Sequence, residues 1–232
     1  MEIVWTGLIE AFQMIISGNQ EIFQITWLTI QVCLLSTFIS TIIGVPLGMT
    51  FTFTSFRGRK LLILLSHAGM GLPPVVAGLW VTIFLWRSGP LGELQWLFTP
   101  YAIVIAQIVV SLPIIISLSY SAFKKIDEGT RLQIKALAPT KMQHILLLFK
   151  QAQFGIWAAI MAGLGRVLAE VGAAMMVGGN LKGETRILTT AMVMEVSRGN
   201  FEIAIALSFI LMTIALILTF ILLKFQQRDV TV

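Results

Sequence analysis

Long uncharged apolar runs recur along this chain, separated by short polar and basic stretches. A hydrocarbon layer about 30 Å thick takes roughly 20 helical residues at 1.5 Å each. Five stretches meet that length: 22–53, 61–86, 101–123, 154–177 and 203–223. Lipid offers no partner to backbone groups, so each is expected to be helical. The first is longer than one crossing needs, and Gly44, Pro46 and Gly48 make its later half breakable. Pro73-Pro74 interrupts the second and Pro113 lies in the third. The fourth carries two charges, Arg166 and Glu170. Residues 1–20 differ: Trp5, Leu8, Ile9, Phe12, Ile15 and Ile16 recur at helical spacing between polar positions, which predicts an interfacial amphipathic helix or, alternatively, a short sixth span.

Composition agrees with the pattern. Of 232 residues, 57% are hydrophobic and 12% charged, and the mean hydropathy is +0.90. Soluble domains carry about 25% charge. An ordinary soluble enzyme, a disordered chain and a nucleic-acid binder are therefore excluded as expectations. The single cysteine, Cys33, sits in an apolar run and reads as a small buried residue. His67 and His144 are too far apart to suggest a metal site, and no cofactor is expected. The first residues lack the basic segment of a cleavable signal.

The net charge of +5 is unevenly placed. Eleven of the sixteen Lys and Arg residues fall in segment 54–60, in loop 124–152 and at Lys224 and Arg228 near the end. The positive-inside rule puts these segments in the cytoplasm, with the N-terminus outside and the C-terminal tail, 226–232, inside. The expected location is the cell membrane, crossed several times by a domain spanning 21–225.

Loop 124–152 has internal order. Asp127 can cap a short helix that ends before Pro139. Thr140-Lys141-Met142-Gln143 fits a capping box opening a second, amphipathic helix. On pattern alone the loop is either a docking element or a basic segment touching anionic lipid.

Here the chain resembles a known family. The loop looks like the coupling loop of ABC-importer permeases. Gly71-Leu72-Pro73-Pro74-Val75-Val76, Gly89-Pro90-Leu91-Gly92, Gly165-Arg166-Val167-Leu168-Ala169-Glu170-Val171-Gly172-Ala173, Gly178-Gly179-Asn180, Gly183-Glu184-Thr185-Arg186 and Leu188-Thr189-Thr190-Ala191 are similar to the molybdate, tungstate and sulfate branch, most of all to tungstate-type permeases. The resemblance spans roughly residues 20–225 and implies an all-α type I ABC-importer permease-like bundle of about five transmembrane helices. It implies a homodimer, a cytoplasmic ATPase pair and an extracytoplasmic oxyanion-binding protein as partners. Docking on the ATPase would fall to Glu128, Arg131, Leu132, Gln133, Lys135, Ala136, Leu137, Ala138 and Pro139. Two of these depart from the family pattern: Gln133 stands where a glutamate is usual, and Ala138, followed by Pro139, where a glycine is usual. The glutamine removes a charge-assisted contact.

Within the membrane, Gly71, Pro73, Pro74, Arg166, Glu170 and Gly172 are the expected translocation path and gate. Arg166 and Glu170 are four apart, which places them on one helix face where they can pair. Intramembrane charge costs about 2.5–3.5 kcal/mol per residue, so the pair must face protein or water. It is either a structural ion pair or part of an anion gate. Small residues from Gly155 to Ala174 predict close helix approach, within the chain or at a two-fold axis. In loop 178–200, Asn180, Lys182 and Arg186 are the expected contacts for the binding protein, or a solvated face.

The sequence contains no Gly-x-x-x-x-Gly-Lys-Ser/Thr phosphate loop and no nucleophile–base pattern. A non-catalytic permease powered by a partner ATPase is the leading reading. A non-transporting membrane scaffold and a proton-coupled carrier are the alternatives, the latter weakened by its single intramembrane carboxylate, Glu170.

Overall fold

The computed structural model describes residues 9, 20–137 and 140–228. The interfacial helix expected over 1–20 lies outside the described residues apart from Ile9 and Gln20, as do Ala138, Pro139 and the tail from 229. The described residues form helices and turns with no strand. In chain order the α-helices are α1 Gln20–Phe53, α2 Arg59–Gly69, α3 Pro74–Leu85, α4 Pro100–Lys124, α5 Glu128–Leu137, α6 Lys141–Leu168, α7 Gly172–Gly178, α8 Leu188–Ser197 and α9 Phe201–Arg228. Four of them, α1, α4, α6 and α9, are long and apolar enough to cross a membrane. Helices α2 and α3 make a fifth, broken unit bent by 113°. The protein is a multi-pass membrane protein.

Helix α4 is the most buried span, and α1 and α6 pack on it. Its start is fixed by Pro100 at the first helical position, where a missing N–H costs nothing. A polar seam joins α1 to α4: Ser36 Oγ donates to Gln107 Oε1 at 2.9 Å, and Ser40 and Ser111 share a hydrogen bond of 2.8 Å. All four residues are fully buried. Such pairs hold helices together where the hydrophobic effect gives no preference for protein over lipid. Cys33 lies buried in the same seam, as expected.

Three expectations are corrected. Helix α1 runs unbroken through Pro46. Its glycines serve close packing instead of a kink: a Cβ on Gly48 would lie 2.7 Å from the backbone nitrogen of Tyr120 in α4. The span expected at 154–177 is cut short, because the second loop helix and the span fuse into the single 28-residue helix α6, which ends at Leu168. Finally, loop 178–200 contains α8, whose Leu188 and Ala191 enter a core with Ile25, Leu207 and Ile210. Ten residues are too few for a periodic signal to stand out beside Lys182, Glu184 and Arg186.

Candidate functional site

Two helix breaks meet inside the bundle. The first is at Pro73-Pro74. Pro73 is extended (φ −62°, ψ 126°) and Pro74 opens α3, so the chain leaves α2 and restarts at a steep angle. The second is at 169–171, between α6 and α7. They touch directly. A Cβ on Gly172 would lie 2.7 Å from Val75 Cγ2, and one on Gly78 would lie 2.7 Å from Ala173 Cα. Gly172 is thus brought against Val75, the residue that follows the Pro73-Pro74 break. Gly71, just before the first break, has ordinary space around it.

Arg166 and Glu170 flank the second break. The sequence places them on one helix, yet α6 ends between them. Arg166 occupies the last turn of α6, where the helix end is partially negative; Glu170 precedes α7, where it is partially positive. Each charge is therefore matched by a helix end. Glu170 Oε1 accepts the Ala173 N–H at 2.8 Å, and the Glu170 carbonyl accepts from Thr189 Oγ1 at 2.9 Å. Its Oε2 is 3.9 Å from Arg166 Nη1, beyond hydrogen-bond range. The Glu170 side chain is 1% exposed and that of Arg166 29%. The carboxylate is thus a buried cap on α7, and the backbone carbonyl of the same residue holds α8 through Thr189. Beside Arg166, a Cβ on Gly165 would meet nothing within 4 Å.

At the basic end, α5 and the start of α6 form the hairpin that the loop sequence predicts. Asp127 Oδ1 accepts the Thr130 N–H at 2.9 Å and Oδ2 accepts the Thr130 hydroxyl at 2.6 Å. These bonds, the hydroxyl first, hold the Asp127 carboxyl below its usual range. Thr140 and Gln143 make the reciprocal capping box. Among the expected docking residues, Leu132 (62% exposed) and Leu137 (76%) stand free; between them Ile134 (8%), not one of that set, turns into the core. Glu128, Gln133, Lys135 and Ala136 are exposed as well. Arg131 points the other way. Its Nη2 donates to the carbonyls of Phe123 and Lys124 at 3.2 and 3.3 Å, and its guanidinium lies 4.9 Å from the Phe53 ring centre. Arg131 anchors α5 to the ends of α4 and α1.

At the opposite end, Gly179 (φ 70°) and Asn180 (φ 52°) make the sharp turn that Gly178-Gly179-Asn180 predicts. Lys182 Nζ and Arg186 Nη1 both pair with Glu21, at 2.7 and 3.2 Å. Glu21 therefore draws these two cations onto the start of α1, a partnership hidden in sequence by the long stretch of chain between them.

No family model matches the chain. Full-length relatives do. It is 33% identical over 230 residues to the tungstate uptake system permease protein TupB of Peptoclostridium acidaminophilum, covering 98% of this chain and 100% of the relative. It is 35% identical over 209 residues to a probable anion ABC transporter permease protein of Haloferax volcanii, covering 88% and 90%. A TupB of Campylobacter jejuni is 30% identical over 231 residues, covering 98% and 95%. The chain belongs to the tungstate-type ABC transporter permeases.

This identity makes the protein a permease subunit of an anion ABC importer. Among the described residues of the permease, no group of three or more His, Cys, Asp or Glu residues is placed to hold a metal ion. Sequence reasoning does not pick out three contacts that shape its interior: Gly78 on Ala173, Thr189 on the Glu170 carbonyl, and Gln107 on Ser36. Gln107 alone carries a signal, being the one amide within an otherwise apolar and hydroxyl-bearing run from 102 to 119.

Proposed function

We propose that this permease imports a tetrahedral oxyanion dianion, tungstate or molybdate, as a homodimer with a separate ATPase pair on the basic, cytoplasmic side and a binding protein on the other. The observation that carries this reading is the form of α5. It is capped at Asp127, anchored through Arg131 and packed through Ile134, yet it presents Leu132 and Leu137 to solvent. An exposed apolar pair on a helix tethered to span ends suits a lever that a motor grips. Motion of α5 would pass to α4 through the Arg131 contacts and to α6 through the packing of Ile134 with Leu148.

Inside the membrane, the abutting breaks give two short helices that can shift without unzipping a full span. Arg166, only partly offset by Glu170, supplies positive potential near them. One offset cation attracts a dianion without holding it tightly, which suits passage. On the extracytoplasmic side Arg186 is largely buried by its pairing with Glu21, whereas Lys182 stays 68% exposed in the same cluster, so Lys182, with Asn180, is the contact assigned to a binding protein. Selectivity between tungstate and molybdate, dianions of the same shape and charge, is assigned to that partner.

The test is co-purification with the cognate ATPase, followed by vanadate-sensitive hydrolysis stimulated by oxyanion-loaded binding protein. Leu132→Asp with Leu137→Asp is expected to release the ATPase while the permease stays folded. Unchanged capture would refute the docking role of α5. Uptake driven by a pH gradient without ATP would favour a carrier.

A further inference from the structure

Behind α5 lies a cavity of about 870 Å³ whose walls come from the ends of α1 and α4, from α5 and from the start of α6. Its apolar lining is Met49, Phe53, Ile126, Leu132 and Leu148. The rest of the lining is cationic. Lys124, Arg131 and Lys135 line it together with the His144 imidazole, against one carboxylate, Glu128. Among the described residues, Lys124, Lys135 and Glu128 have no ion-pair partner; Lys124 lies 5.6 Å over the Tyr120 ring. Arg131 spends Nη2 on the α4 carbonyls, and its buried Nε has no hydrogen-bond partner among the described residues. The cavity lies where the apolar helices α1 and α4 end and the charged chain begins.

Apolar lining and cationic wall together specify an amphiphile with an anionic head. Basic pockets between spans at a membrane surface bind phosphate-bearing headgroups in this way. Leu132 sits on the rim of this cavity as well as on the exposed face of α5, whereas Leu137 lies outside it. We propose that the cavity binds a phosphate-type oxyanion, brought on an anionic lipid headgroup or free in solution, and that the apolar lining favours the lipid. The inference leans on the functional reading only for which leaflet supplies the lipid.

The experiment is native mass spectrometry of the full-length permease in detergent, with phosphatidylglycerol, phosphatidylcholine or inorganic phosphate added. Preferential retention of phosphatidylglycerol is expected. Lys124→Gln and Lys135→Gln should each lower it about fivefold, the worth of one cation near an anionic surface. Lys124→Arg with Lys135→Arg should restore it, which separates lost charge from lost fold. Lys60→Gln with Lys150→Gln, two exposed cations outside the cavity, should leave it unchanged. Phosphatidylglycerol retention that excess phosphate does not displace identifies the lipid as the source. Saturable phosphate binding, lost in the Gln variants and without lipid preference, identifies the free ion. Equal retention of both lipids with no phosphate bound, or equal sensitivity to the Lys60 and Lys150 changes, overturns the proposal. Because the measurement in detergent needs neither ATPase nor sidedness, loss of ATPase capture would leave it standing.

Discussion

The basic hairpin and the paired breaks do comparable jobs by opposite means. In the hairpin, the helix starts are fixed by neighbours in sequence: Asp127 with Thr130, Thr140 with Gln143, each three residues apart. In the breaks, order comes from residues far apart: Gly78 on Ala173, Val75 on Gly172, Thr189 on Glu170. Locally built elements can be tilted as a unit and keep their shape. An element held by distant contacts changes whenever its partners move. A lever suits the first design and a gate the second.

The largest expected effect breaks the second design alone. Gly78→Val would drive side-chain atoms into the Ala173 backbone, which has no flexible tip to yield. Overpacking of this kind costs about 1–3 kcal/mol, often more against backbone. Thermal unfolding in detergent should fall clearly and oxyanion uptake should be lost. Gly165→Ala, facing open space, should change stability by no more than about 0.5 kcal/mol.

Glu170 gives the next effect and separates cap from ion pair. Glu170→Ala removes the acceptor of the Ala173 N–H and should cost about 1–3 kcal/mol of stability, read in the same unfolding assay. Glu170→Gln keeps a carbonyl acceptor while deleting the charge, so most of that stability should return. Equal damage from both would show that the ion pair, at 3.9 Å, outweighs the cap.

Perturbing the hairpin should be milder and confined. Thr140→Ala removes one capping bond and should cost about 0.5–2 kcal/mol, seen as faster hydrogen exchange in the first turn of α6 with the breaks unaffected. The smallest effect is acid-dependent. Asp127 is held below its ordinary carboxylate value of about 3.9. Its stabilising contribution is therefore complete above that value and is lost as pH falls through the lower folded one. The protection factor at the start of α5, exchange corrected for its intrinsic pH dependence, should be flat from neutral pH to about 4 and fall only below it; Asp127→Asn should remove that acid step.

The same contrast explains what could be read ahead of the structure. Spans, basic end, both caps and the Gly178–Asn180 turn rest on period, charge and short-range hydrogen bonding, which are properties of neighbouring residues. Where α6 ends could not be read that way. Residues 154–177 are apolar enough for one span, and Arg166 and Glu170 look like an ordinary i, i+4 pair. The helix stops at Leu168, and α3 packs against the chain just beyond it, through Val75 on Gly172 and Gly78 on Ala173, which leaves Glu170 to cap α7. Likewise Arg131 reads as one more surface cation until the carbonyls of Phe123 and Lys124 are seen to claim it.

The sequence by itself determined that this chain crosses a membrane repeatedly, which end is basic, where the hairpin helices begin, and which family it resembles. Tertiary structure alone decided that two breaks abut, that the intramembrane charges serve separate helix ends, and that Arg131 faces inward while its neighbour Leu132 faces out. The reason is physical. Apolarity and capping act over three or four residues, whereas in lipid the choice among close approaches depends on which small residues and carbonyls meet across helices, and no local pattern encodes those meetings.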